Sequence, residues 1–338
     1  MKVAIIGKTI VSGGYVRVKE IIKFIEGLNH QVDVIYFPED TFYSKMWHLS
    51  QRAFSKVSGK EPRLMKKVSE EAQKILKRKK YDVIISVETR ESYVLTEDLD
   101  AIKIFVCESL ESEQMKYSNM YNKKRINDLR EMELEIMQKS DYVVFPWETA
   151  EEFTRKNFWN GNNFLTIRYG CNPKGQKVKF TTQPKIINLG NLWGYWTNKE
   201  LLSYLSQISP YDIDVYSRYK PARKYKINYK GYAKSLAIHE EYQFGLNTVS
   251  KDPYKRNWFT ARPTEYISYG LPTLSPDWHE YTRDLKGFIL YNEDNFIDLL
   301  KYYSIEENWS KKSQEAVDQS YELDWNKTLK PFEKILSN

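Results

Sequence analysis

Short apolar runs and helix-like segments alternate along the first half of the chain. Helical segments carry apolar residues three or four positions apart, as at Val18, Ile21 and Ile25. Strands alternating with such helices predict a parallel sheet covered by helices on both faces. The runs that predict strands are KVAIIG (2–7), QVDVIYF (31–37), YDVIISV (81–87), IKIFV (102–106), DYVVF (141–145) and FLTIRYG (164–170).

A second series of the same kind follows the polar segment NPKGQKVKFTTQP (172–184). Thr197 and Glu200 have capping-box spacing and predict a helix start. The amphipathic segment YELDWNKTLKPFEKIL (321–336) predicts a terminal helix that packs back on the first half. The second series of predicted strands comprises KIINLGNL (185–192), DIDVYS (212–217), INYKGY (227–232), FGLNTVS (244–250), LPTLSP (271–276) and ILYN (289–292). We therefore predict two doubly wound α/β domains, residues 1–172 and 173–320, and a C-terminal helix over 321–338.

Composition narrows the class of protein. The 338 residues are 41% hydrophobic and 29% charged, which is typical of a globular chain with two domains of roughly 150 to 180 residues. Apolar runs are far shorter than the ~20 residues of a membrane span, and because a strand is predicted from Lys2 we expect no signal peptide. Cys107 and Cys171 are too few for a disulfide framework, so we expect a cytoplasmic protein. The net charge of +7 favours anionic partners such as nucleotides, phospholipid surfaces or nucleic acid.

Ligands of doubly wound sheets bind beyond the carboxyl ends of the strands, where glycine allows close approach. After the first strand, the motif GKT (7–9) matches the end of a P-loop, but Lys2 occupies the position of its first glycine. The pattern G-x-G-x-x-G is also absent, so the sequence gives no support to a nicotinamide or flavin cofactor. Gly13 and Gly14 predict a tight loop before a helix, either a structural turn or an acceptor-side loop facing a cleft between domains.

The stretch ARPTEYISYGLPTLSP (261–276) carries the strongest candidate chemistry. Pro263 suits the first position of a helix, so Arg262 lies at the helix entrance, where a guanidinium and backbone amides can hold a phosphate. Glu265 falls in the first turn. The helix dipole favours a carboxylate there in any case, so a plain helix-start acid paired with arginine stays open as an alternative.

This stretch resembles the donor-binding segment of GT-B glycosyltransferases, particularly family 4. Members often carry a lysine or arginine, two residues, Glu-Tyr, a short helix and Gly-x-Pro, and RPTEYISYGLP matches that order and spacing. The resemblance covers nearly the whole chain. It includes SGGYVRVKEIIKFIEGLNHQVDVI (12–35), LTIRYGCNP (165–173), KIINLGNLWGYWTNKELL (185–202), YQFGLNTVS (242–250) and LDWNKTLKPFEKIL (323–336).

The resemblance implies two Rossmann-like domains, the first binding the acceptor and the second the donor. It implies a hexosyltransferase that moves a sugar from a UDP- or GDP-sugar to a glycan, lipid or protein acceptor, with retention of configuration. Glu265 would accept hydrogen bonds from the ribose hydroxyls, Arg262 would neutralise the diphosphate, and Thr264 would also lie at the donor. Because Arg262 would stabilise the growing charge of the leaving group, the implied reaction needs neither a metal nor another cofactor.

The sequence departs from the family pattern at two positions. Asn257 stands where relatives commonly have a glutamate, which leaves open how the sugar hydroxyls are held and whether configuration is retained. Asn191 replaces the usual arginine after the first glycine of the donor domain. Phosphate contact then falls to the backbone at Gly190 and Asn191, to Lys255, or to Lys199, which is otherwise expected to be solvated.

Two carboxylates at strand ends of the first half are candidates for a general base, Glu88 in ISVETRES and Glu108 in FVCESLES. Glu108 occupies the region where relatives place a catalytic histidine or aspartate. An inverting enzyme needs such a base, whereas a retaining one can use the leaving phosphate. A loop carboxylate paired with a nearby lysine is the alternative interpretation of Glu108.

Asp212 and Asp214 form a D-x-D, the metal-binding signature of a different glycosyltransferase fold. Because they alternate with Ile213 and Val215, we expect both on one side of an edge or surface strand, without a metal. The histidines also lack the close spacing of a zinc site.

Two basic segments indicate two further classes of partner, nucleic acid and a membrane surface. The stretch 218–234 interleaves lysine, arginine and tyrosine, which suits single-stranded nucleic acid, but a solvated basic loop is the favoured interpretation. The segment 41–57 has one apolar helical face beside Lys45, Arg52 and Lys56, which suits either peripheral membrane contact or packing on its own domain. The competing functions are a catalytically inactive GT-B scaffold that binds nucleotide or polyanion, and an epimerase that acts on the donor alone.

Overall fold

A computed structural model describes residues 1–8, 13–37, 64–118, 122–190, 192 and 196–337. The chain divides into two compact units, Met1–Arg168 with Leu329–Asn338, and Tyr169–Thr328. Each unit contains a six-stranded sheet whose neighbouring strands are all parallel. The predicted pair of doubly wound α/β sheets is therefore confirmed.

The sheet of the first unit has the order β2-β1-β3-β4-β5-β6. Val3 of the central β1 pairs with Val32 on one side and Val83 on the other. Val3 to Ile6 are completely buried, as expected for a strand covered on both faces. The strands are β1 Lys2–Lys8, β2 Gln31–Phe37, β3 Val83–Val87, β4 Ile102–Val106, β5 Tyr142–Phe145 and β6 Phe164–Thr166.

Helices of the first unit bury the apolar faces that their spacing predicts. Val18, Ile21 and Ile25 of the first helix are at most 2% exposed. The segment 41–57, assigned as a membrane-contacting or packed helix, lies outside the described residues. The helices are α1 Gly13–Gly27, α2 Leu64–Lys79, α3 Thr89–Ser92, α4 Glu111–Ser118, α5 Lys123–Lys139 and α6 Glu148–Asn157, with a 3₁₀ turn at Tyr93–Thr96.

The sheet of the second unit has the order β12-β11-β10-β7-β8-β9. Its strands are β7 Ile186–Leu189, β8 Ile213–Tyr216, β9 Asn228–Gly231, β10 Phe244–Leu246, β11 Thr273–Pro276 and β12 Phe288–Tyr291.

The prediction that Asp212 and Asp214 lie on an edge or surface strand is wrong. β8 pairs with both β7 and β9. Asp214 is buried and accepts hydrogen bonds from the Tyr242 hydroxyl at 2.9 Å and from Asn228 Nδ2 at 2.6 Å, while Asp212 is exposed just before the strand. Alternation along a strand predicts its faces but not its neighbours, which are set by topology.

The capping-box prediction at Thr197 is also wrong by one residue. Asn198 caps the helix, and its side chain accepts a hydrogen bond from the Leu201 backbone N–H at 3.0 Å. Asparagine is a stronger N-cap than threonine. The helices of this unit are α7 Lys199–Ile208, α8 Pro253–Asn257, α9 Arg262–Ser268, α10 Phe296–Tyr303, α11 Glu306–Glu322 and α12 Trp325–Thr328, with 3₁₀ turns at Leu236–Glu241 and Glu280–Thr282.

The single terminal helix predicted over 321–336 is divided into pieces. α11 ends at Glu322, α12 spans four residues, and a final helix α13 covers Pro331–Ser337. Pro331 lacks a backbone N–H and therefore begins a helix more readily than it continues one. Residues 329–338 are grouped with the first unit. Of the helices in the described part of the chain, none has the length and apolar character needed to span a bilayer.

Candidate functional site

Tyr266 fixes the position of α9 at the carboxyl end of β7. Its buried hydroxyl accepts a hydrogen bond from the Leu189 backbone N–H at 2.8 Å. Its ring lies over Gly245 of β10, where an added Cβ would come within 2.4 Å of the ring. A glycine at 245 is therefore what allows the helix to lie this close to the sheet.

Arg262, the first residue of α9, reaches the segment that follows β7. Its Nη2 donates a hydrogen bond to Thr197 Oγ1 at 3.0 Å. The guanidinium lies against the backbone of Gly190, since a Cβ there would fall 2.7 Å from Cδ, Nε and Cζ of Arg262. Nη1 is buried and finds no hydrogen-bond partner among the residues that the structure describes. A buried cationic donor in this state is suited to an anionic ligand.

Lys255 adds a second buried cation near Arg262. The residue is 1% exposed, its backbone N–H donates to the Asp252 carboxylate, and Nζ lies 3.4 Å from Ser250 Oγ. Burial lowers the pKa of Lys255 to about 8; Asp252 opposes this shift, and the charges of Arg262 and Lys199 add to it. Three basic side chains therefore act on one another at this end of the sheet.

Glu265 supplies an acid in the first turn of α9. The residue is half-buried, and burial raises the pKa of its carboxyl to about 7 against the opposing charge of Arg262. Within the described ranges, no side chain donates a hydrogen bond to this carboxylate. Its oxygens are thus available to accept hydrogen bonds from ligand hydroxyls.

The other residues considered for donor binding lie in different environments. Thr264 is buried and its hydroxyl donates to the Ala261 carbonyl at 2.7 Å, inside the first turn of α9. Asn257 donates to the Pro253 carbonyl at 2.8 Å. Lys199 is half-buried, with Nζ 5.9 Å from the centroid of the Tyr225 ring. Asn191 lies outside the described residues.

In the first unit, Glu108 pairs with a buried arginine. Arg17 Nη1 lies 2.8 Å from Glu108 Oε1, and Arg17 Nη2 donates to the Ile167 carbonyl at 2.6 Å. Among the described residues, the basic partner of Glu108 is therefore an arginine, where the alternative interpretation named a lysine. Burial raises the pKa of Glu108, Arg17 opposes the shift, and the charge of Glu88 adds to it.

The backbone at Glu88 is in the left-handed region, with φ at +69°. This conformation is uncommon for a residue other than glycine and is often found at functional sites. Its N–H donates to the Val106 carbonyl of the neighbouring strand. Glu88 and Glu108 therefore follow adjacent strands of one sheet, whereas the sequence predicts only that each follows a strand. Gly13 and Gly14, predicted as a tight loop before a helix, are the first two residues of α1, and residues 9–12 lie outside the described ranges.

Glu133 of α5 connects the segments that follow these two carboxylates. Ser112 Oγ donates to its carboxylate at 2.5 Å and Thr89 Oγ1 at 3.1 Å. Burial raises the pKa of Glu133 to about 8, with the two hydroxyls opposing. Thr89 adjoins Glu88, and Ser112 lies four residues after Glu108, so this buried acid holds both strand ends.

Sequence reasoning did not single out Arg17, Glu133 or Thr197 as functional residues. A signal existed for Arg17, because it precedes Val18 and lies four positions before Ile21, on the apolar side of α1. The sequence predicts Thr197 as a helix cap, and its contact with Arg262, 65 positions away, has no local signal.

Other motifs have structural explanations. His279 is buried between Asn247 Nδ2 and the Trp258 carbonyl, and burial lowers its pKa to about 4. In the described part of the chain, no three His, Cys, Asp or Glu side chains form a group that could hold a metal ion. The basic stretch 218–234 is largely exposed and contains β9.

Comparisons with known proteins identify solved structures that have a similar fold. No protein-family model matches the chain, and no curated protein matches its sequence. Sucrose-phosphate synthase from Thermosynechococcus elongatus superposes with a TM-score of 0.73 at 11% identity, covering 99% of this chain and 98% of that one. A glycosyltransferase from Rickettsia africae gives 0.66 at 12% identity, covering 99% and 97%. Anabaena HepE in complex with UDP and glucose gives 0.66 at 10% identity, covering 100% and 99%.

The similarity covers at least 97% of this chain and of each of these proteins. At identities of 10 to 12%, this similarity shows the fold alone. The more specific assignment to family 4 stays a prediction. Two parallel six-stranded sheets with this likeness confirm the predicted architecture: the chain has the GT-B fold.

Proposed function

We propose that the protein is a glycosyltransferase that moves a sugar from a nucleoside diphosphate sugar to an acceptor hydroxyl. The observation that carries this proposal is the arrangement around α9, where the buried Nη1 of Arg262 lies close to Lys255 and Glu265 presents a carboxylate without a donor among the described residues. Cations suit a diphosphate, and an acceptor-only carboxylate suits ribose hydroxyls. HepE, which has a similar fold, was solved with UDP and glucose.

In the proposed reaction, the bond between the sugar C1 and the diphosphate oxygen breaks as a bond from C1 to the acceptor oxygen forms. Negative charge then grows on the departing diphosphate. Arg262 and Lys255 lie where that charge develops and stabilise it more in the transition state than in the ground state. This positive charge supports a reaction that needs no metal.

The acceptor proton has two destinations in this scheme. We propose retention of configuration, in which the leaving diphosphate takes the proton. Arg17 supports this choice, because its ion pair with one oxygen of Glu108 opposes proton uptake by that carboxylate. In the inverting alternative, Glu108 takes the proton, with Glu88 beside it. A glycan, lipid or protein acceptor, a cytoplasmic location and peripheral membrane contact stay predictions.

A second candidate is a catalytically inactive scaffold that binds nucleotide or polyanion. The exposed basic stretch 218–234 and the amide of Asn257 in place of a family glutamate favour it.

A ligand screen separates these candidates. We expect one class among UDP-, GDP-, ADP- and CMP-sugars to raise the melting temperature, with sugar transfer unchanged after EDTA treatment, because ligands that bind the folded state stabilise it. Glu265→Ala should lose the shift, and Glu293→Ala, an exposed acid elsewhere in the unit, should keep it. Stabilisation by single-stranded nucleic acid alone would favour the scaffold, and loss of transfer with EDTA would contradict a metal-free reaction.

Donor affinity should depend on pH through two groups. Glu265 must be ionised to accept two hydrogen bonds, so affinity rises as pH increases through about 7. Lys255 must be protonated to bind phosphate, so affinity falls as pH increases through about 8. Calorimetric titration with UDP-glucose between about pH 6 and pH 9 is the appropriate measurement, because its diphosphate diester keeps a constant charge in that range.

Matched variants test which group causes each limb of the pH profile. The acidic limb is the rise in donor affinity through about pH 7, and the alkaline limb is the fall through about pH 8. Glu265→Gln should flatten the acidic limb, and Lys255→Arg should flatten the alkaline limb, because neither new side chain titrates in the range. A profile that keeps both limbs in the double variant would show that other groups control the affinity.

A further inference from the structure

The guanidinium of Arg262 is held from several directions before any ligand binds. An arginine side chain otherwise loses rotamer entropy when it becomes ordered. A group already fixed in its binding position avoids most of that cost, which is the benefit of preorganisation. The contacts that fix Arg262 therefore bear directly on the affinity of the proposed site.

The backbone that carries Arg262 is fixed by its own helix. Two turns of α9 follow Arg262, and Tyr266 anchors them through the Leu189 N–H and the space over Gly245. The start of α9 is therefore set by contacts with β7 and β10 that do not involve a ligand.

Backbone hydrogen bonds fix the chain at Gly190 and next to Thr197, the two residues that contact the guanidinium. Gly190 donates its N–H to the Tyr216 carbonyl at 2.9 Å, and the Asn198 N–H donates to the Thr248 carbonyl at 2.9 Å. Thr197, next to Asn198, is 3% exposed. Its hydroxyl is thus held at a defined place when it accepts the hydrogen bond from Arg262 Nη2.

Gly190 contributes by its lack of a side chain. The guanidinium occupies the space that a Cβ at this position would take. Thr197 engages Nη2, whereas the buried Nη1 has no partner in the described part of the chain. One nitrogen is used for positioning, and the other is left for a ligand.

We infer that Gly190 and Thr197 are positioning residues that hold the Arg262 guanidinium ready for the diphosphate of the donor. This inference rests on the proposed function. It assigns Thr197 a role through Arg262 and not through direct chemistry on the substrate.

The test compares Thr197→Val with Thr197→Ser. Valine keeps the shape of the side chain but removes the hydroxyl, so we expect about a tenfold weaker affinity for UDP, or for GDP if GDP binds more tightly, by calorimetry. Serine restores the acceptor and should bind within about twofold of the native protein. A structural role alone would lower the melting temperature of Thr197→Val and leave the affinity of the folded protein unchanged, and that result would overturn the inference.

Substitution of Gly190 provides a second, independent test of the inference. Gly190→Ala places a methyl group where the guanidinium lies and should weaken the same affinity about tenfold or more. Gly231→Ala is the matched control, because Gly231 lies in the same unit, also has a positive φ, at +96°, and a Cβ there meets nothing within 4 Å. Native affinity in Gly190→Ala would contradict the inference.

Arg262→Ala distinguishes failure of the inference from failure of the proposed function. If Arg262→Ala loses affinity while Thr197→Val and Gly190→Ala retain it, the site stands and the positioning role is wrong. If Arg262→Ala binds UDP and GDP as tightly as the native protein, the phosphate role of Arg262 is wrong, and the inference is overturned with it.

Discussion

Replacing Arg262 with alanine is expected to lower kcat for sugar transfer by about 100- to 1,000-fold, the usual effect of removing one donor that stabilises transition-state charge. The guanidinium lies against the Gly190 backbone, and its Nη1 has no partner among the described residues. Its loss would leave the departing diphosphate with less positive charge around it. Single-turnover kinetics with the identified nucleotide sugar measures this effect without interference from product release.

The matched control for this prediction is Arg256→Ala. Arg256 lies on the neighbouring helix α8, with its side chain 44% exposed and paired with Glu280 at 3.1 Å. Its removal takes away the same charge from the same unit and should change kcat by less than about threefold. Arg262→Lys should recover part of the rate, because it restores the charge but not the fixed fork of donors. Equal rates for the two alanine variants would contradict the assigned role of Arg262.

Replacing Glu133 with glutamine should change how the free energy of unfolding depends on pH. Burial raises the pKa of Glu133 from the ordinary 4.5 to about 8. The native carboxyl therefore stays protonated where the unfolded chain would ionise. Its stabilising contribution is fully present below about pH 4.5, declines as pH rises, and is lost above about pH 8. The shift corresponds to a loss on the order of 5 kcal/mol across that window.

Glutamine keeps the shape of Glu133 but cannot ionise. We expect Glu133→Gln to gain stability relative to the native protein as pH rises from about 5 to about 8. Urea denaturation at both pH values measures the difference, with Glu131→Gln as a control, since Glu131 is exposed on the same helix. An unfolding free energy that changes with pH equally in all three proteins would show that Glu133 does not carry this dependence.

Glu133 also shows a limit of sequence reasoning. In the sequence it is one acid among several in the helix INDLREMELEIMQKS (126–140). Its partner Ser112 is 21 residues away and its partner Thr89 is 44 residues away. No local pattern specifies such contacts, because they arise only when α3, α4 and α5 come together around the ends of β3 and β4.

The same distinction applies to the errors in the predicted elements. The strand period at Ile213 and Val215 is real, but the pairing of β8 with β9 decides that it is not an edge strand. The polar residues at 197 and 198 both suit a cap, and the chain uses the stronger one. The amphipathic pattern over 321–336 is divided because Pro331 starts a new helix.

The sequence by itself determined the alternation of strands and helices, the GT-B resemblance, and the placement of Arg262 and Glu265 in the first turn of one helix. These features depend on residues within a few positions of one another, where apolar spacing and proline chemistry act directly. Only the tertiary structure decided that Arg262 contacts Thr197, 65 positions away, and that Arg17 pairs with Glu108, 91 positions away. Contacts over such separations depend on the order of the parallel strands within each sheet, because that order determines which strand ends are neighbours.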